Sequence, residues 1–215
     1  MAITQPLLGT FFGLIAVAMV GAMFIAAEYR RGLIRTTLAA HPRRGQVLAA
    51  KAVVLGAVTF ATGLVAAGFA MVVGVAHLRA NTPVDPIGVG TEVRIVVGTA
   101  LLLAVAAVLA LALGTVLRRG AGAVAAVIVV IVLPYLLGEL PTVLPANVQA
   151  WLLRITPAAA FAVQQAYPSY PQVDAQYTLI GGYYPLPPWA GLAVLCGYAA
   201  LAVGLATVLL RRRDA

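Results

Sequence analysis

The residues that could do chemistry are few here, and their spacing matches no catalytic or metal-binding motif. Lys51 is the only lysine, and its neighbours lack the glycine-rich loop and following Ser or Thr of a phosphate-binding loop. Ser169 is the only serine, and GxSxG and HExxH are absent. The two histidines, His41 and His77, flank an apolar stretch, so they are predicted on opposite membrane faces. The sequence therefore predicts a protein that is not an enzyme and holds no metal or cofactor.

Composition indicates what surrounds the chain. Of 215 residues, 63% are hydrophobic and only 9% are charged, whereas about a quarter of a soluble domain is charged. The net charge of +8 comes from short basic clusters between apolar stretches. That arrangement is typical of membrane topology and not of a nucleic-acid-binding face. No acidic residue lies near the middle of an apolar stretch, so a proton- or sodium-driven carrier is disfavoured.

Five apolar runs are long enough to cross a membrane, since about 20 residues span ~30 Å of hydrocarbon at 1.5 Å per residue. They are residues 9–27, 52–76, 95–116, 121–137 and 189–210. The predicted fold class is all-α: a polytopic helical membrane protein whose five transmembrane helices form one membrane domain over residues 1–215. Pro134 is either a hinge that kinks the outer end of the fourth helix or simply a proline near the end of that helix. Gly9 and Gly13 form a small-xxx-small pair that could support close packing with another helix.

Charge predicts the orientation. Eleven basic residues lie in the loop 28–51, in the short connection that holds Arg118 and Arg119, and at the C-terminus. The loops predicted on the other side of the membrane hold only three. The positive-inside rule places the eleven in the cytoplasm of a multi-pass plasma-membrane protein. Five crossings then put the N-terminus outside and the C-terminus inside. The first six residues have no basic segment, so a cleavable signal peptide is not expected.

Two connecting segments have their own character. Residues 139–188 form an outer segment, in which 141–165 is moderately apolar and predicts short helices, broken at Pro157, that lie in the membrane interface or dip into it. Residues 28–51 form a cytoplasmic loop in which Arg30, Arg31 and Arg35 surround apolar residues at helical spacing. This loop is either an ordinary basic loop contacting lipid headgroups or a rigid docking element for a cytoplasmic partner.

The order of short motifs along the chain resembles that of a known family. Between the first two apolar runs the chain reads E-x-x-x-G … L-A-A-x-P-x-R … K, which is carried by Glu28, Gly32, Leu38, Pro42, Arg44 and Lys51. Leu117-Arg118-Arg119, Pro134, the Leu-Pro-Pro-Trp sequence before the last run and the ending Leu-Arg-Arg-Arg-Asp-Ala follow. Together they resemble permease subunits of type 2 ATP-binding-cassette transporters.

The resemblance implies a permease that pairs with a second permease copy or homologue and is driven by cytoplasmic ATPase subunits. It implies that a coupling-type helix within Glu28 to Arg44 docks on the ATPase; the candidate docking residues are Glu28, Arg30, Arg31, Gly32, Arg35, Pro42 and Arg44. The expected function is export, with the lipid bilayer as surroundings and no nucleic-acid partner. The alternative is a non-transporting membrane assembly or regulatory subunit.

The sequence differs from the family pattern in one respect. The family pattern has six helices and a cytoplasmic N-terminus, whereas five helices and an external N-terminus are predicted here. The first of the six is expected to be missing from this sequence, either by truncation or mis-started translation or because the chain is a variant that lacks it.

Overall fold

The computed structural model describes residues 9–30, 44–81, 88–139, 144–166 and 184–213, and within these ranges the elements are all helical. The all-α fold class is therefore confirmed. The long helices are α1 (Thr10–Arg30), α2 (Arg44–Asn81), α3 (Val89–Leu117) and α7 (Pro188–Arg213). Between α3 and α7 lie α4 (Gly120–Val127), a π-helical turn (Ile128–Val132), α5 (Leu133–Glu139), α6 (Ala146–Ile155) and a 3-10 helix (Pro157–Gln164). The first three of these run without interruption, and we call them the π-bulged helix.

Four helices among the described residues are long and apolar enough to cross a membrane: α2, α3, the π-bulged helix and α7. In α1 the apolar part is the shorter stretch Thr10–Ile25. Four of the five predicted spans are thus present as membrane-crossing candidates. The remaining predicted span, 9–27, and the side of the membrane on which each terminus lies stay predictions.

Helix α3 is the centre of the bundle. In its apolar part 72% of the residues are buried, against 28% or less in the other three candidate spans. The helices α1, α2, α7 and the π-bulged helix all pack against it. Its middle is rich in alanine, and Ala106, Ala107 and Ala110 are fully buried. Small side chains let neighbouring backbones approach closely, which is a main source of helix association in lipid.

Helix α2 begins before the predicted span, which started at Ala52. The residues from Arg44 onward contain no proline and several strong helix formers, so the helix continues back through them. Leu48 then packs into the core beside Ile25 of α1. The predicted loop 28–51 is therefore helical at both ends, and its middle, 31–43, lies outside the described residues.

Pro134 lies inside a continuous helix, five residues before its last residue, Glu139. A proline removes one N–H and its ring would clash with the carbonyl four residues earlier. The π-helical turn directly before it resolves this conflict, because the Leu133 N–H donates to the carbonyl of Ile128, five residues back. The added residue per turn gives the ring room. A hinge at Pro134 stays a prediction.

A two-residue connection turns α3 back into the π-bulged helix. Arg118 adopts the left-handed conformation, with φ 55°, and its N–H donates to the carbonyl of Gly114. Arg119 is extended, and α4 starts at the next residue. This tight turn makes the two helices antiparallel neighbours and places both arginines at one end of the bundle.

Candidate functional site

One end of the bundle gathers the basic helix termini, and we call it the basic end. It consists of the end of α1, the start of α2, the turn between α3 and α4, and the end of α7. One apolar cluster joins these four places, since Ile25, Leu48, Leu111 and Leu210 belong to it. Arg118 and Arg119 occupy the turn there, and Arg212 is exposed at the end of α7.

Only three of the seven predicted docking residues belong to the described part of the chain, and these three lie at the basic end. Glu28 and Arg30 belong to the last turn of α1, and Arg44 is the first residue of α2. The remaining four lie outside the described residues: Arg31, Gly32, Arg35 and Pro42. The structure thus describes the two helix ends that hold the segment 31–43. The docking role of these residues stays a prediction.

At the opposite end, which we call the far end, the 3-10 helix Pro157–Gln164 is inserted among the long helices; we call it the wedge. All eight of its residues are buried. It follows α6, and the helical conformation is interrupted between them at Thr156, which is extended. Thr156 directly precedes Pro157, where the sequence predicted the break. The wedge packs against α3 and α7.

Two glycines make room for the wedge. A Cβ atom at Gly98 of α3 would overlap the side chain of Val163, and one at Gly191 of α7 would overlap the carbonyl oxygen of Ala159. Val163 and Ala159 are both buried, so neither can move into open space. With Val163 and Ala159 in place, the fit of the wedge therefore depends on the absence of a side chain at Gly98 and Gly191.

Buried polar groups join the wedge to α1 and α3. The side-chain amide of Gln164 donates hydrogen bonds of 3.1 Å to the hydroxyls of Thr10 and Thr99. These residues are only 8%, 6% and 2% exposed. Just beyond them, the guanidinium of Arg94 donates to the backbone carbonyl of Gln165. A buried amide left without its partners costs about 1–3 kcal/mol, so the three side chains hold one another in place.

Three aromatic rings lie next to this polar cluster. Phe11 of α1, Tyr135 of α5 and Phe161 of the wedge contact one another, with ring centroids 4.6–5.0 Å apart. Such pairs add about 0.5–1.5 kcal/mol each beyond the area they bury. Because Tyr135 directly follows Pro134, the aromatic cluster links the region after the π-helical turn to the wedge.

The glycines that allow close packing inside the chain are not the predicted pair. Gly9 has no neighbour within 4 Å of an added Cβ, and Gly13 meets only Leu103 at 3.7 Å, an ordinary contact. The tight position of α1 is Gly21, where a Cβ would lie 2.5 Å from the carbonyl oxygen of Ala107. Gly9 and Gly13 remain candidates for a contact with another chain.

Gly191→Ala is expected to destabilise the protein because the added methyl meets a backbone carbonyl of the wedge. Overpacking of this kind costs roughly 1–3 kcal/mol, which corresponds to several degrees of melting temperature. Gly197→Ala in the same helix is the matched control, since an added Cβ there meets nothing within 4 Å. Its melting temperature should be unchanged or higher, because alanine favours a helix. Thermal unfolding of both purified variants in one detergent checks the difference, and equal melting temperatures would contradict it.

Comparison with known proteins places the chain in a family. The family model described as ABC-2 family transporter protein matches residues 3–215, nearly the whole sequence. No curated protein and no solved structure gives a significant match.

Proposed function

The chain belongs to the ABC-2 transporter family, and from this premise we propose that it is the permease of an ATP-driven exporter. In this proposal it forms the substrate path together with a second permease copy or homologue. A separate cytoplasmic ATPase, docked at the basic end, supplies the energy. The ATPase side of the plasma membrane is then the side on which the arginine-rich helix ends lie.

The observation that carries this proposal is the meeting of basic helix termini at one end. Arg30 ends α1 and Arg44 begins α2, so a partner that moves the segment between them acts on both helices. Both helices are in close contact with central α3. A Cβ at Gly114 of α3 would lie 2.7 Å from Ile25 of α1, and a Cβ at Gly63 of α2 would lie 3.1 Å from the Cα of Ala100 of α3. Helices packed this closely transmit a displacement because their backbones have no free space between them.

In this proposal the wedge closes the far end, so a movement that starts at the basic end must reach the wedge before the far end can open. The wedge is bonded to α1 through Thr10 and to α3 through Thr99. A change in the position of α1 relative to α3 would therefore pull the two hydroxyls apart and release Gln164 from at least one of them. We propose that the wedge blocks the far end until this happens.

Reversing the charges of Arg30, Arg31 and Arg35 to glutamate is expected to weaken binding of the cognate ATPase. Like charges facing one another across an interface cost several kcal/mol, so affinity should fall roughly a hundredfold or more. Co-purification of the two proteins from detergent measures the effect. Insertion of the variant in the membrane is checked first by its yield in the membrane fraction.

The matched control reverses Arg211, Arg212 and Arg213, which changes the charge at the same end by the same amount. That variant should keep most of the association, because the proposed contact is made by the segment after α1. If the first variant co-purified with the ATPase as well as the wild type does, the docking role would be wrong. Normal association without movement of any substrate would instead favour the assembly or regulatory subunit.

A further inference from the structure

Helix α6 and the wedge meet at Thr156, and this junction, which we call the tip, lies alongside α7 and not above it. The Tyr198 hydroxyl donates a 3.0 Å hydrogen bond to the carbonyl of Ile155, the last residue of α6. Tyr198 lies ten residues into α7, about 15 Å along the helix axis at 1.5 Å per residue. Leu153 of α6 also shares an apolar cluster with Leu195 and Ala199 of α7. The tip is therefore level with the middle turns of a helix that is a candidate membrane span.

The backbone at this tip is satisfied by groups of the chain itself. The backbone N–H and the hydroxyl of Thr156 both donate to the carbonyl of Leu152, at 3.1 Å and 2.6 Å. The Tyr198 hydroxyl donates the hydrogen bond that the carbonyl of Ile155 accepts. In hydrocarbon, where no water replaces a missing partner, irregular backbone persists only when its polar groups are bonded in this way.

The outward face of α6 is mostly apolar, and its polar residues are Asn147 near its start and Arg154 near its end. Trp151 and Ile155 are 58% and 56% exposed, and Val148 continues the same face at helical spacing. Arg154 is exposed beside them, with its guanidinium carbon 5.7 Å from the centroid of the Trp151 ring. The face runs on to the outward side of α7, where Tyr198 and Leu201 are exposed. Acyl chains suit such a surface, whereas water does not.

A guanidinium on this surface needs an anion that can reach into a lipid environment. An arginine placed over a ring directs its in-plane N–H groups sideways, in the fork geometry that matches the oxygens of a phosphate. A charged side chain within the depth of a membrane is expensive and normally has a charged or polar partner. A phospholipid supplies both the phosphate for Arg154 and the chains for the apolar face.

We propose that α6 carries a phospholipid-binding site. Arg154, whose guanidinium lies beside the Trp151 ring one turn nearer the far end, binds the phosphate of a lipid in the leaflet at that end, and Ile155 contacts the upper part of its acyl chains. The site would hold a lipid at the tip that leads into the wedge.

The two tryptophans of the chain allow a direct test. The variant Trp189→Phe leaves Trp151 as the only tryptophan of the full-length protein. It is reconstituted in vesicles of a phosphate-free galactolipid that contain a minor fraction of either brominated phosphatidylglycerol or brominated galactolipid. Bromine quenches a nearby indole, so the fluorescence reports which lipid is enriched at Trp151. We expect several-fold stronger quenching by the phosphatidylglycerol, loss of that preference in Arg154→Gln and partial retention in Arg154→Lys.

The converse variant, Trp151→Phe, reports on Trp189, which is also exposed, and its quenching should not change when Arg154 is replaced. Three results would overturn the proposal. Equal quenching of Trp151 by both lipids would mean a lipid-facing surface without a phosphate site, and absence of quenching by either would mean that protein covers the face. Loss of the preference on addition of inorganic phosphate to the buffer would mean an anion site open to water.

Discussion

A disulfide between cysteines at Gly98 and Val163 is expected to abolish the ATP turnover that the chain stimulates in its proposed complex with an ATPase. A Cβ at Gly98 would lie 3.1 Å from that of Val163, close to the ~3.5–4.5 Å found in disulfides. Cysteine at position 163 also removes one of the two methyl groups that fill the space. With Cys196 changed to alanine, the pair provides the only thiols of the chain.

The expected effect is complete because a covalent bond removes every state in which the wedge has left α3. If opening of the far end requires that state, the cycle stalls and turnover falls to the level of the ATPase alone. Reduction of the disulfide should restore it. ATP hydrolysis by the reconstituted complex, before and after reduction, is the measurement, and it needs no knowledge of the substrate.

The matched control joins Gly63 of α2 to Ala100 of α3, where an added Cβ would lie 3.4 Å from the neighbouring Cβ. This disulfide forms in the same bundle by the same chemistry but does not touch the wedge, so turnover should be largely kept. Wild-type turnover by the oxidised Gly98–Val163 pair would show that the wedge does not move in the cycle. Loss of turnover in both pairs would show that fixing α3 is itself harmful, and the proposal that the wedge blocks the far end would lose its support.

Local sequence patterns predicted the features of this fold that are set by neighbouring residues in the chain. The apolar runs predict the four helices that are long and apolar enough to cross a membrane, and the Arg118-Arg119 pair marks the turn between two of them. The break beside Pro157 is likewise local, since the residue before a proline is driven out of helical geometry. Helix α2 begins at Arg44, eight residues before the predicted membrane span, because a helix continues past the hydrocarbon when nothing interrupts it.

The wedge could not be predicted because its burial depends on residues far away along the chain. The segment is short and lacks charge, which fits a membrane interface equally well; Gly98 and Gly191 decide that it packs inside. Its hydrogen bonds join Gln164 to residues 154 and 65 positions away. The one local signal was the pair Gln164-Gln165 in an apolar stretch, since two amides there require partners.

The π-helical turn before Pro134 was also beyond the sequence patterns, for a different reason. A proline near the end of an apolar run fits a helix end or a bulged helix equally well. What distinguishes them is the packing of the following turn, and Tyr135 supplies it by contacting Phe11 and Phe161. The helix thus continues past Pro134 in spite of the steric conflict at the proline, because tertiary contacts hold the residues that follow it.

Membrane-impermeant thiol labelling is expected to separate the two ends of the bundle completely. In a Cys196→Ala background, single cysteines replace Arg31, Arg119 and Val89 in turn. Val89 starts α3 and is exposed at the far end, whereas Arg119 lies in the turn at the basic end. The positive-inside rule places Arg31 and Arg119 together in the cytoplasm. They should react only in inside-out membrane vesicles, and the cysteine at position 89 only in right-side-out vesicles.

The comparison of Arg31 with Arg119 is the decisive one. Arg31 directly follows the last residue of α1, and α1 shares the basic-end cluster with α3 through Ile25 and Leu111. Reaction of the two cysteines from opposite sides could not be reconciled with that packing in a single membrane-inserted fold. It would also remove the surface on which one cytoplasmic ATPase could act on α1 and α2 together. Shared reactivity from the inner side would agree with the proposal that a cytoplasmic ATPase docks at the helix ends around the segment 31–43.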